Sequence, residues 1–283
     1  MFELNVYLEE KRRVVDAALE EALPAPGRRP AILHEAMRYA VFPGGKRLRP
    51  VLCLAAAEAA GGRADSALPA ALAVELLHTY TLVHDDLPCM DDDAMRRGRP
   101  TCHVRYGIAN AVLAGDALQA LAFELAARTD PPAPYPAGRV VSELARAAGS
   151  LGVVGGQVED IAFEDGQGNA ETVAFIHRHK TADLFRAALR MGAIAVGSPA
   201  ERLETLTVYG DNLGLAFQIA DDLLDAGDLK PDPMSCLGIY GLAGARERAT
   251  QHVDRAVAAL EGLPPEGAEP LAAVARYVVE RKH

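Results

Sequence analysis

Apolar residues recur every three or four positions along most of the chain, and this spacing is the period of an α-helix. Pro and Gly interrupt the pattern at intervals, whereas the alternation of apolar and polar residues that is typical of strands is rare. Several apolar segments have no polar face, so they must lie at the centre of the fold. The predicted helices are Asn5–Leu23, Ile32–Ala40, Pro50–Ala60, Ser66–His84, Asn110–Ala127, Ala137–Ile161, Glu171–Val196, Leu203–Asp225, Ala243–Leu260 and Glu269–Glu280.

About ten helices and no hairpin signal predict an all-α protein. The chain has 283 residues, half of them hydrophobic, and no Gly/Ser/Pro-rich linker divides it. We therefore expect a single domain over residues 1–283 with a large core. The stretch Leu68–Val83 is largely apolar but contains Glu75 and His78, which predicts a buried helix and no stable membrane insertion.

Charge and cysteine usage narrow the functional class. The net charge is -10, from 29 basic and 39 acidic residues, and this does not favour nucleic-acid binding. The four cysteines form neither a CxxC pair nor a zinc spacing, as is typical of reduced cytosolic thiols. Charges are spread through the first helix, which lacks the apolar segment of a signal peptide. We expect a cytoplasmic protein.

Two acidic clusters follow apolar stretches. The first has five carboxylates in nine residues, at Asp85, Asp86 and 91–93, and such a density of like charge favours bound divalent cations. Pro88 cannot continue the helix, so the chain is expected to turn back and bring Asp91 close to Asp85. A solvated helix end is the plainer interpretation, but acidic residues destabilise the carboxyl end of a helix.

The second cluster contains Asp221 and Asp225, which share a helix face with Gln218 one turn earlier. A DDxxD sequence alone is often only a surface patch. Basic residues nevertheless accompany both clusters, at 44–50 and 96–105, and basic loops that open helices bind phosphate well. Together these features indicate a polyphosphate substrate held through metal ions.

These motifs resemble those of the trans-isoprenyl diphosphate synthases, the polyprenyl synthetase family, and most closely the bacterial farnesyl diphosphate synthases. The matching segments are GGKRLRP at 44–50, LLHTYTLVHDDLPCMDDDAMRRGRPTCH at 76–103, GGQVED at 155–160, HKTADLF at 179–185, GLAFQIADDLLD at 214–225 and ARYVVERKH at 275–283. They occur in the family's order over nearly the whole chain. The resemblance implies a bundle of long helices around a deep central cavity, with the two Asp motifs facing each other across its mouth.

The resemblance also implies a role for each matched residue. The residues carrying the reaction would be Asp85, Asp91, Arg96, Lys180 and Asp221. Those holding Mg²⁺, with three ions expected and Mn²⁺ as a substitute, would be Asp85, Asp86, Asp91, Asp221 and Asp225. Isopentenyl diphosphate would contact Lys46, Arg49, His78 and Arg97, and the allylic diphosphate would contact Arg96, Lys180, Thr181 and Gln218. Arg281 and Lys282 lie where the family often closes the site, and the family is usually a homodimer.

The expected reaction joins isopentenyl diphosphate to dimethylallyl or geranyl diphosphate and releases diphosphate. Metal ions and basic residues stabilise the charge on the leaving group, and a dry apolar cavity protects the carbocation. Tyr80 lies five residues before Asp85, about 7.5 Å deeper along the helix. This aromatic residue, combined with the two-residue expansion between Asp86 and Asp91, resembles the bacterial farnesyl pattern, which predicts a product of fifteen carbons. Thr81 is a second candidate for chain length. A product of twenty carbons stays possible, and Tyr80 is alternatively a plain core residue.

One segment departs from the family. The loop at 226–236 is short, and Pro233 and Ser235 stand where Lys and Thr are common. Three other functions stay open. An HD-type phosphohydrolase would use His84 and Asp85 with His34 and Asp116, a terpene cyclase would not need a second diphosphate site, and a non-catalytic partner subunit would typically have lost its metal aspartates.

Overall fold

The apolar segments of the chain form a bundle of α-helices in the computed structural model, which describes residues 2–42, 44–163, 169–225 and 235–280. Thirteen α-helices lie within these ranges: α1 Leu4–Ala22, α2 Ala31–Val41, α3 Leu48–Ala59, α4 Leu68–Asp85, α5 Cys102–Tyr106, α6 Ile108–Ala127, α7 Arg139–Ala148, α8 Val153–Phe163, α9 Ala170–Ile176, α10 Asp183–Ala195, α11 Ala200–Asp225, α12 Cys236–Ala259 and α13 Pro265–Glu280. Short 3-10 turns occupy Ala64–Ala67 and Leu260–Gly262. The all-α prediction is confirmed.

Helix α4 is at the centre of the bundle, as its uniformly apolar sequence predicts. It packs against α3, α6 and α10, and its buried residues lie on every side of the helix. Small residues allow the central helices to approach closely. A Cβ atom at Gly192 of α10 would lie only 2.0 Å from the carbonyl oxygen of Cys53 on α3. The tight core therefore depends on glycine at this crossing.

Several predicted helices have different bounds in the structure, and the helix predicted over Glu171–Val196 is interrupted by a π-helical segment, His177–Ala182, between α9 and α10. The segment predicted as one helix over Ala137–Ile161 forms two, α7 and α8, with a turn between them. A Cβ atom at Gly152 in that turn would lie 2.1 Å from the Ala147 carbonyl oxygen, so glycine permits the tight connection. Helix α12 begins at Cys236 rather than at the predicted Ala243, and it contains a kink at Gly241, where φ is 67°.

A two-stranded antiparallel hairpin, absent from the sequence prediction, connects α4 to α5. Its strands are β1 Met95–Arg96 and β2 Arg99–Pro100. The two turn residues, Arg97 and Gly98, both have positive φ angles, of 53° and 72°. This conformation is typical of a tight hairpin turn. The Arg-Gly pair was the available signal, and its flanking strands are too short to give an alternating pattern.

Two described helical segments are long and apolar enough to cross a membrane by length and composition. In Ala64–Asp85, which includes α4, 67% of the most apolar stretch of residues is buried inside the fold. This is what the sequence predicted for a core helix. In helix α6 only 33% of the corresponding apolar stretch is buried, so much of its apolar surface lies on the outside of the fold.

Candidate active site

The first acidic cluster turns back on the helix that precedes it. Helix α4 ends at Asp85, and the Asp91 backbone N–H donates to the Asp85 carbonyl oxygen at 2.9 Å. Asp92 adopts a positive φ of 51°, which completes the turn. The expected return of the chain after Pro88 is therefore present, and it brings the Asp85 and Asp91 carboxylates to the same end of α4.

Asp85 and Asp91 share the neighbourhood of Lys180. Burial raises the pKa of Asp85 to about 6, against the attraction of Lys180, and Asp91 raises it further. Burial would lower the pKa of Lys180, but Asp160, Asp85 and Asp91 outweigh it, so its pKa is raised. Two partly buried carboxylates next to one ammonium group leave an excess of negative charge. A divalent cation would supply it, so this donor set fits Mg²⁺.

Asp86 points into a different environment from Asp85. It is buried, and its Oδ1 accepts a hydrogen bond from Arg96 Nε at 2.6 Å. Arg96 also lies 3.5 Å from Asp93. Asp86, one of the predicted metal ligands, is thus paired with the cation that was predicted to contact the allylic diphosphate. This placement favours a role in orienting Arg96 over a role in metal binding.

The β1–β2 hairpin presents two arginines, Arg96 and Arg97, to the site. Tyr39 donates from its hydroxyl to the Pro100 carbonyl oxygen at 2.6 Å and its ring lies between the guanidinium groups of Arg99 and Arg105, which fixes the hairpin to α2. Arg97 reaches from the hairpin to donate to the Gly44 carbonyl oxygen in the basic loop. The hairpin and the basic loop therefore form one positively charged wall.

The basic loop brings Arg49 next to His78 of α4. Arg49 Nη1 lies 3.2 Å from His78 Nε2, and its guanidinium group lies 4.5 Å from the centre of the Phe185 ring. Burial lowers the pKa of Arg49 to about 10. Burial also lowers the pKa of His78 well below its usual value, helped by Arg49. Lys46 is exposed, with its Nζ 5.6 Å from the centre of the Tyr277 ring on α13.

A cavity of about 620 Å³ joins these groups. Its wall contains the four residues predicted for isopentenyl diphosphate together with Thr181 and three residues of α11. The lining residues that bear on function are Lys46, Arg49, Glu75, His78, Arg96, Arg97, Thr181, Gln218 and Asp221. Most of the candidate binding residues therefore line one cavity, and Asp221 of the second motif lines it together with Arg96, which follows the first.

Lys180 and Thr181 lie in a π-helical segment, His177–Ala182, between α9 and α10. Such segments are rare and are frequent at functional sites. A Cβ atom at Gly156 of α8 would lie 2.4 Å from the Lys180 backbone nitrogen, so this glycine allows α8 to pack directly on the segment. Lys180 Nζ then donates to Asp160 of α8 at 2.6 Å.

A hydrogen-bond chain links the second acidic motif to the same segment. Thr181 donates from its hydroxyl to Gln218 Oε1 at 2.7 Å, and Gln218 Nε2 donates to Asp222 Oδ1 at 3.0 Å. Asp222 Oδ2 accepts from the Cys236 backbone N–H at 2.8 Å and lies 3.5 Å from His177. Asp222 therefore holds the start of α12, the π segment and Gln218 in one arrangement.

A model of the polyprenyl synthetase family matches residues 30–230. The chain belongs to the polyprenyl synthetase family.

Curated relatives of this polyprenyl synthetase cover almost all of it. The large subunit 1 of a heterodimeric geranylgeranyl pyrophosphate synthase from Arabidopsis thaliana is 44% identical over 100% of this chain and 80% of its own. A geranylgeranyl diphosphate synthase from Cyanophora paradoxa is 38% identical over 100% of this chain and 98% of its own.

Solved structures agree with the sequence relatives. An FPP/GFPP synthase from Zymomonas mobilis superposes with a TM-score of 0.89 at 40% identity, covering 98% of both chains. A geranylgeranyl pyrophosphate synthetase from Pyrococcus horikoshii does so with a TM-score of 0.88 at 31% identity, also over 98% of both. The predicted isoprenoid synthase fold and the predicted class, a trans-prenyltransferase acting on isoprenoid diphosphates, are confirmed.

The HD-type phosphohydrolase does not fit this polyprenyl synthetase. His84 lies 3.9 Å from Asp116, but His34 is buried on α2 and bonds to the Arg28 carbonyl oxygen at 2.9 Å. Among the described residues, no three His, Cys, Asp or Glu side chains form a ready-made metal cage. Mg²⁺ commonly binds through one or two carboxylates together with substrate phosphates, so the open arrangement suits it.

Other sequence-predicted positions have different outcomes. Tyr80 is buried and lies outside the lining of the 620 Å³ cavity, with its ring edge-on to His84 and a hydrogen bond with Gln119 of α6. Thr81 donates to the His78 carbonyl oxygen at 2.8 Å. The side chain of Asp225, residues 226–234, Arg281 and Lys282 lie outside the described part of the chain.

The sequence did not single out Asp160, Asp222, Arg47 or His177. Asp160 accepts a hydrogen bond from Lys180. His177 is buried beside Asp222. The GGQVED motif and the double Asp of DDLLD were the available signals. Periodicity did not reveal their partners, because it shows which face of a helix is polar but not which residue lies opposite.

Proposed function

We propose that this protein is a Mg²⁺-dependent prenyltransferase that extends dimethylallyl and geranyl diphosphate with isopentenyl diphosphate and stops at farnesyl diphosphate. The observation that carries the proposal is the cavity lined by Arg49, His78, Arg97 and Asp221, whose further lining residue Arg96 acts electrostatically on Asp85 and Asp91. Two diphosphates fit a site with this distribution of charge, one on the cationic wall and one between the acidic motifs.

The residues of the chain divide the work of the reaction. Lys46, Arg49, His78 and Arg97 bind isopentenyl diphosphate, and Arg96, Lys180, Thr181 and Gln218 orient the allylic diphosphate. Three Mg²⁺ ions, or Mn²⁺ in their place, held by Asp85, Asp91 and Asp221, would supply positive charge that stabilises the departing diphosphate. Phe217 and Leu82 add apolar surface to the cavity, which helps to exclude water from a carbocation.

Tyr80 supports the fifteen-carbon product. It lies on α4 more than one turn before Asp85, in the direction that leads away from the diphosphates. It is 6% exposed, and its contacts with His84 and Gln119 hold the ring in place. A growing chain that extends along α4 beyond the 620 Å³ cavity would meet this ring.

A twenty-carbon product is the second candidate. The curated relatives are named geranylgeranyl synthases, whereas the solved structures are named for both farnesyl and geranylgeranyl products. The reaction is the same in both cases. Product length alone distinguishes them.

The test is incubation of the purified protein with labelled isopentenyl diphosphate and, separately, dimethylallyl, geranyl or farnesyl diphosphate, with and without Mg²⁺. Products are dephosphorylated and separated by chain length. We expect farnesol from the two shorter starters, no extension of farnesyl diphosphate, and no product after chelation. Geranylgeraniol as the main product would replace the farnesyl proposal, and phosphate release without a prenyl product would contradict the prenyltransferase.

We also propose that the protein is a homodimer. Helix α6 supports the homodimer, because Ile108 and Leu113 are each 54% exposed and only one third of the helix's apolar stretch is buried. The exposed Val154 and Val158 of α8 add apolar surface outside the core. Apolar areas of this kind typically mark protein interfaces, and a second copy is the partner to which we assign them.

We propose the cytoplasm as its compartment. All four cysteines are free, and three of them are buried, as is common in a reducing environment. Cell fractionation with an antibody tests this assignment, and recovery of the protein with membranes or an organelle would contradict it.

A further inference from the structure

Arg47 differs from the basic residues on either side of it. It lies between Lys46 and Arg49 in the loop that opens α3, and all three were expected to form one anion-binding patch. Arg47 is only 4% exposed, whereas Lys46 is exposed. Its φ of 48° places it in the left-handed region, which is uncommon for a residue with a side chain. The backbone strain at this position implies compensating contacts elsewhere.

Three acceptors from three different elements provide those contacts. Arg47 Nε donates to Asp16 Oδ1 of α1 at 2.8 Å, and Nη1 donates to Glu75 Oε1 of α4 at 2.7 Å. Nη2 donates to the carbonyl oxygen of Val41, the last residue of α2, at 2.6 Å. The planar guanidinium group therefore connects α1, α2 and α4 at the point where α3 begins.

These contacts make Arg47 a poor phosphate ligand, although it belongs to the cavity lining. Three of its five N–H groups already donate to protein oxygens at short range, and its side chain is only 3% exposed. A diphosphate that drew the guanidinium group toward itself would weaken the ion pair with the buried Glu75, which is costly. Arg49, by contrast, faces the Phe185 ring and His78 within the cavity.

The Glu75 carboxylate, which accepts from Arg47, also acts on the neighbouring guanidinium groups. It is 4% exposed and belongs to the lining of the 620 Å³ cavity, on the same helix as His78. Its negative charge acts on Arg49 and on Arg97, the two guanidinium groups that would otherwise repel each other across the diphosphate site. The carboxylate thus keeps the cationic wall assembled before substrate arrives.

We propose that Arg47 and Glu75 are positioning residues that preform the isopentenyl diphosphate site by holding the basic loop on α4. The proposal depends on the assignment of Lys46, Arg49 and His78 to isopentenyl diphosphate under Proposed function. The pair acts on one substrate more than on the other, because the hydrogen bonds and ion pairs described for Arg47 and Glu75 join them to α1, α2 and each other, and not to Arg96, Lys180, Thr181 or Gln218.

The decisive variant is Arg47→Lys, which keeps the positive charge but cannot reach three acceptors in one plane. We expect KM for isopentenyl diphosphate to rise about tenfold or more, the loss of at least one well-placed charged contact, while KM for the allylic diphosphate changes less than about twofold. Arg63→Lys is the matched control, because Arg63 is exposed and pairs only with Asp65; it should leave both constants unchanged. A folded Arg47→Lys protein with both constants unchanged, or with both raised equally, would overturn the proposal.

A second variant covers the case in which Arg47→Lys does not fold. Glu75→Gln keeps an oxygen that accepts from Arg47 but removes the charge, so we expect the same selective rise in KM for isopentenyl diphosphate, at smaller amplitude. Equal effects on both substrates would again refute the role. If the wild-type protein makes no prenyl product, the proposed function fails, and calorimetric binding of isopentenyl diphosphate to wild type and Arg47→Lys still tests the positioning: weaker binding by the variant supports it, and equal binding overturns it.

Discussion

Neighbouring carboxylates in the two acidic clusters have different partners. Asp85 lies near Asp91 and Lys180, whereas Asp86, the next residue, pairs with Arg96 at 2.6 Å. In the second cluster, Asp221 lines the cavity while Asp222 accepts from Gln218 and from the backbone of Cys236. Successive residues on a helix point about 100° apart, so one carboxylate of each pair faces the site and the other supports it.

Tyr80 is the residue at which product length is expected to change. Tyr80→Ala removes the ring and opens space along α4, so the main product should shift from fifteen to twenty or more carbons. Product length is measured by chromatography after dephosphorylation. Tyr80→Phe keeps the ring and should leave the product unchanged. An unaltered product from a folded Tyr80→Ala protein would show that the ring only fills the core.

His252 on α12 is expected to make the fold sensitive to acid. Burial lowers its pKa to about 4, with Arg255, Arg248 and Arg178 contributing, and its Nδ1 lies 2.9 Å from Asn212 Oδ1. Below about pH 6.5 the unfolded chain binds a proton there that the native protein does not, so stability falls as pH falls.

The size of this effect is testable by urea unfolding at pH 7 and pH 5. The His252 contribution to the loss over that range is about 1 to 2 kcal/mol. His252→Gln should lose less stability than wild type by about this amount. If variant and wild type lose the same stability between the two pH values, His252 is not the responsible group.

At the scale of elements, glycines decide which helices approach most closely. Gly192 allows α10 to pack on α3, and Gly156 allows α8 to pack on the π segment. The second contact matters for function, because it brings Asp160 to Lys180 at 2.6 Å. The π segment itself shifts Lys180 and Thr181 relative to a regular helix, so that one faces Asp160 and the other Gln218.

Gly192→Ala should destabilise the core. The added Cβ atom would lie 2.0 Å from the Cys53 carbonyl oxygen, so α10 must move away from α3. We expect a loss of about 1 to 3 kcal/mol in the free energy of unfolding. Gly262→Ala is the control, because no atom lies within 4 Å of a Cβ atom at that position. Equal unfolding midpoints for the two variants would show that the crossing tolerates a methyl group.

At the scale of the whole molecule, the bundle separates an interior that holds the cavity from an outer apolar surface on α6. The central helix α4 is buried, and the adjacent α6 leaves Leu113 54% exposed. A protein of net charge -10 is otherwise well solvated. The exposed apolar surface is the observation on which the proposed homodimer depends.

Leu113→Glu places a charge in that surface and should convert the proposed dimer to a monomer. The molecular mass in solution, measured by light scattering after size exclusion, should halve. Val6→Glu is the matched control, since Val6 is 55% exposed on α1, and this variant should stay dimeric. A dimeric Leu113→Glu protein would place the interface elsewhere, and a monomeric wild type would contradict the dimer.

The sequence alone determined the helical class and the core position of α4, and it indicated candidate site residues. Helix periodicity follows directly from the order of apolar residues, and the acidic clusters are marked by a local charge density that favours bound cations. The turn at Asp91 was also predictable, because Pro88 ends the helix whatever surrounds it. The resemblance to the family assigned four residues to one site, and all four line one cavity: Lys46, Arg49, His78 and Arg97.

Only the tertiary structure decided which charged groups are paired. Arg47 and Arg49 are two positions apart in one basic motif, yet one bridges buried carboxylates and the other faces the cavity. Asp160 and Lys180 are 20 residues apart and meet only because Gly156 lets α8 pack on the π segment. Charge in a sequence is a local property, but pairing depends on the approach of separate helices, and side-chain packing sets that distance.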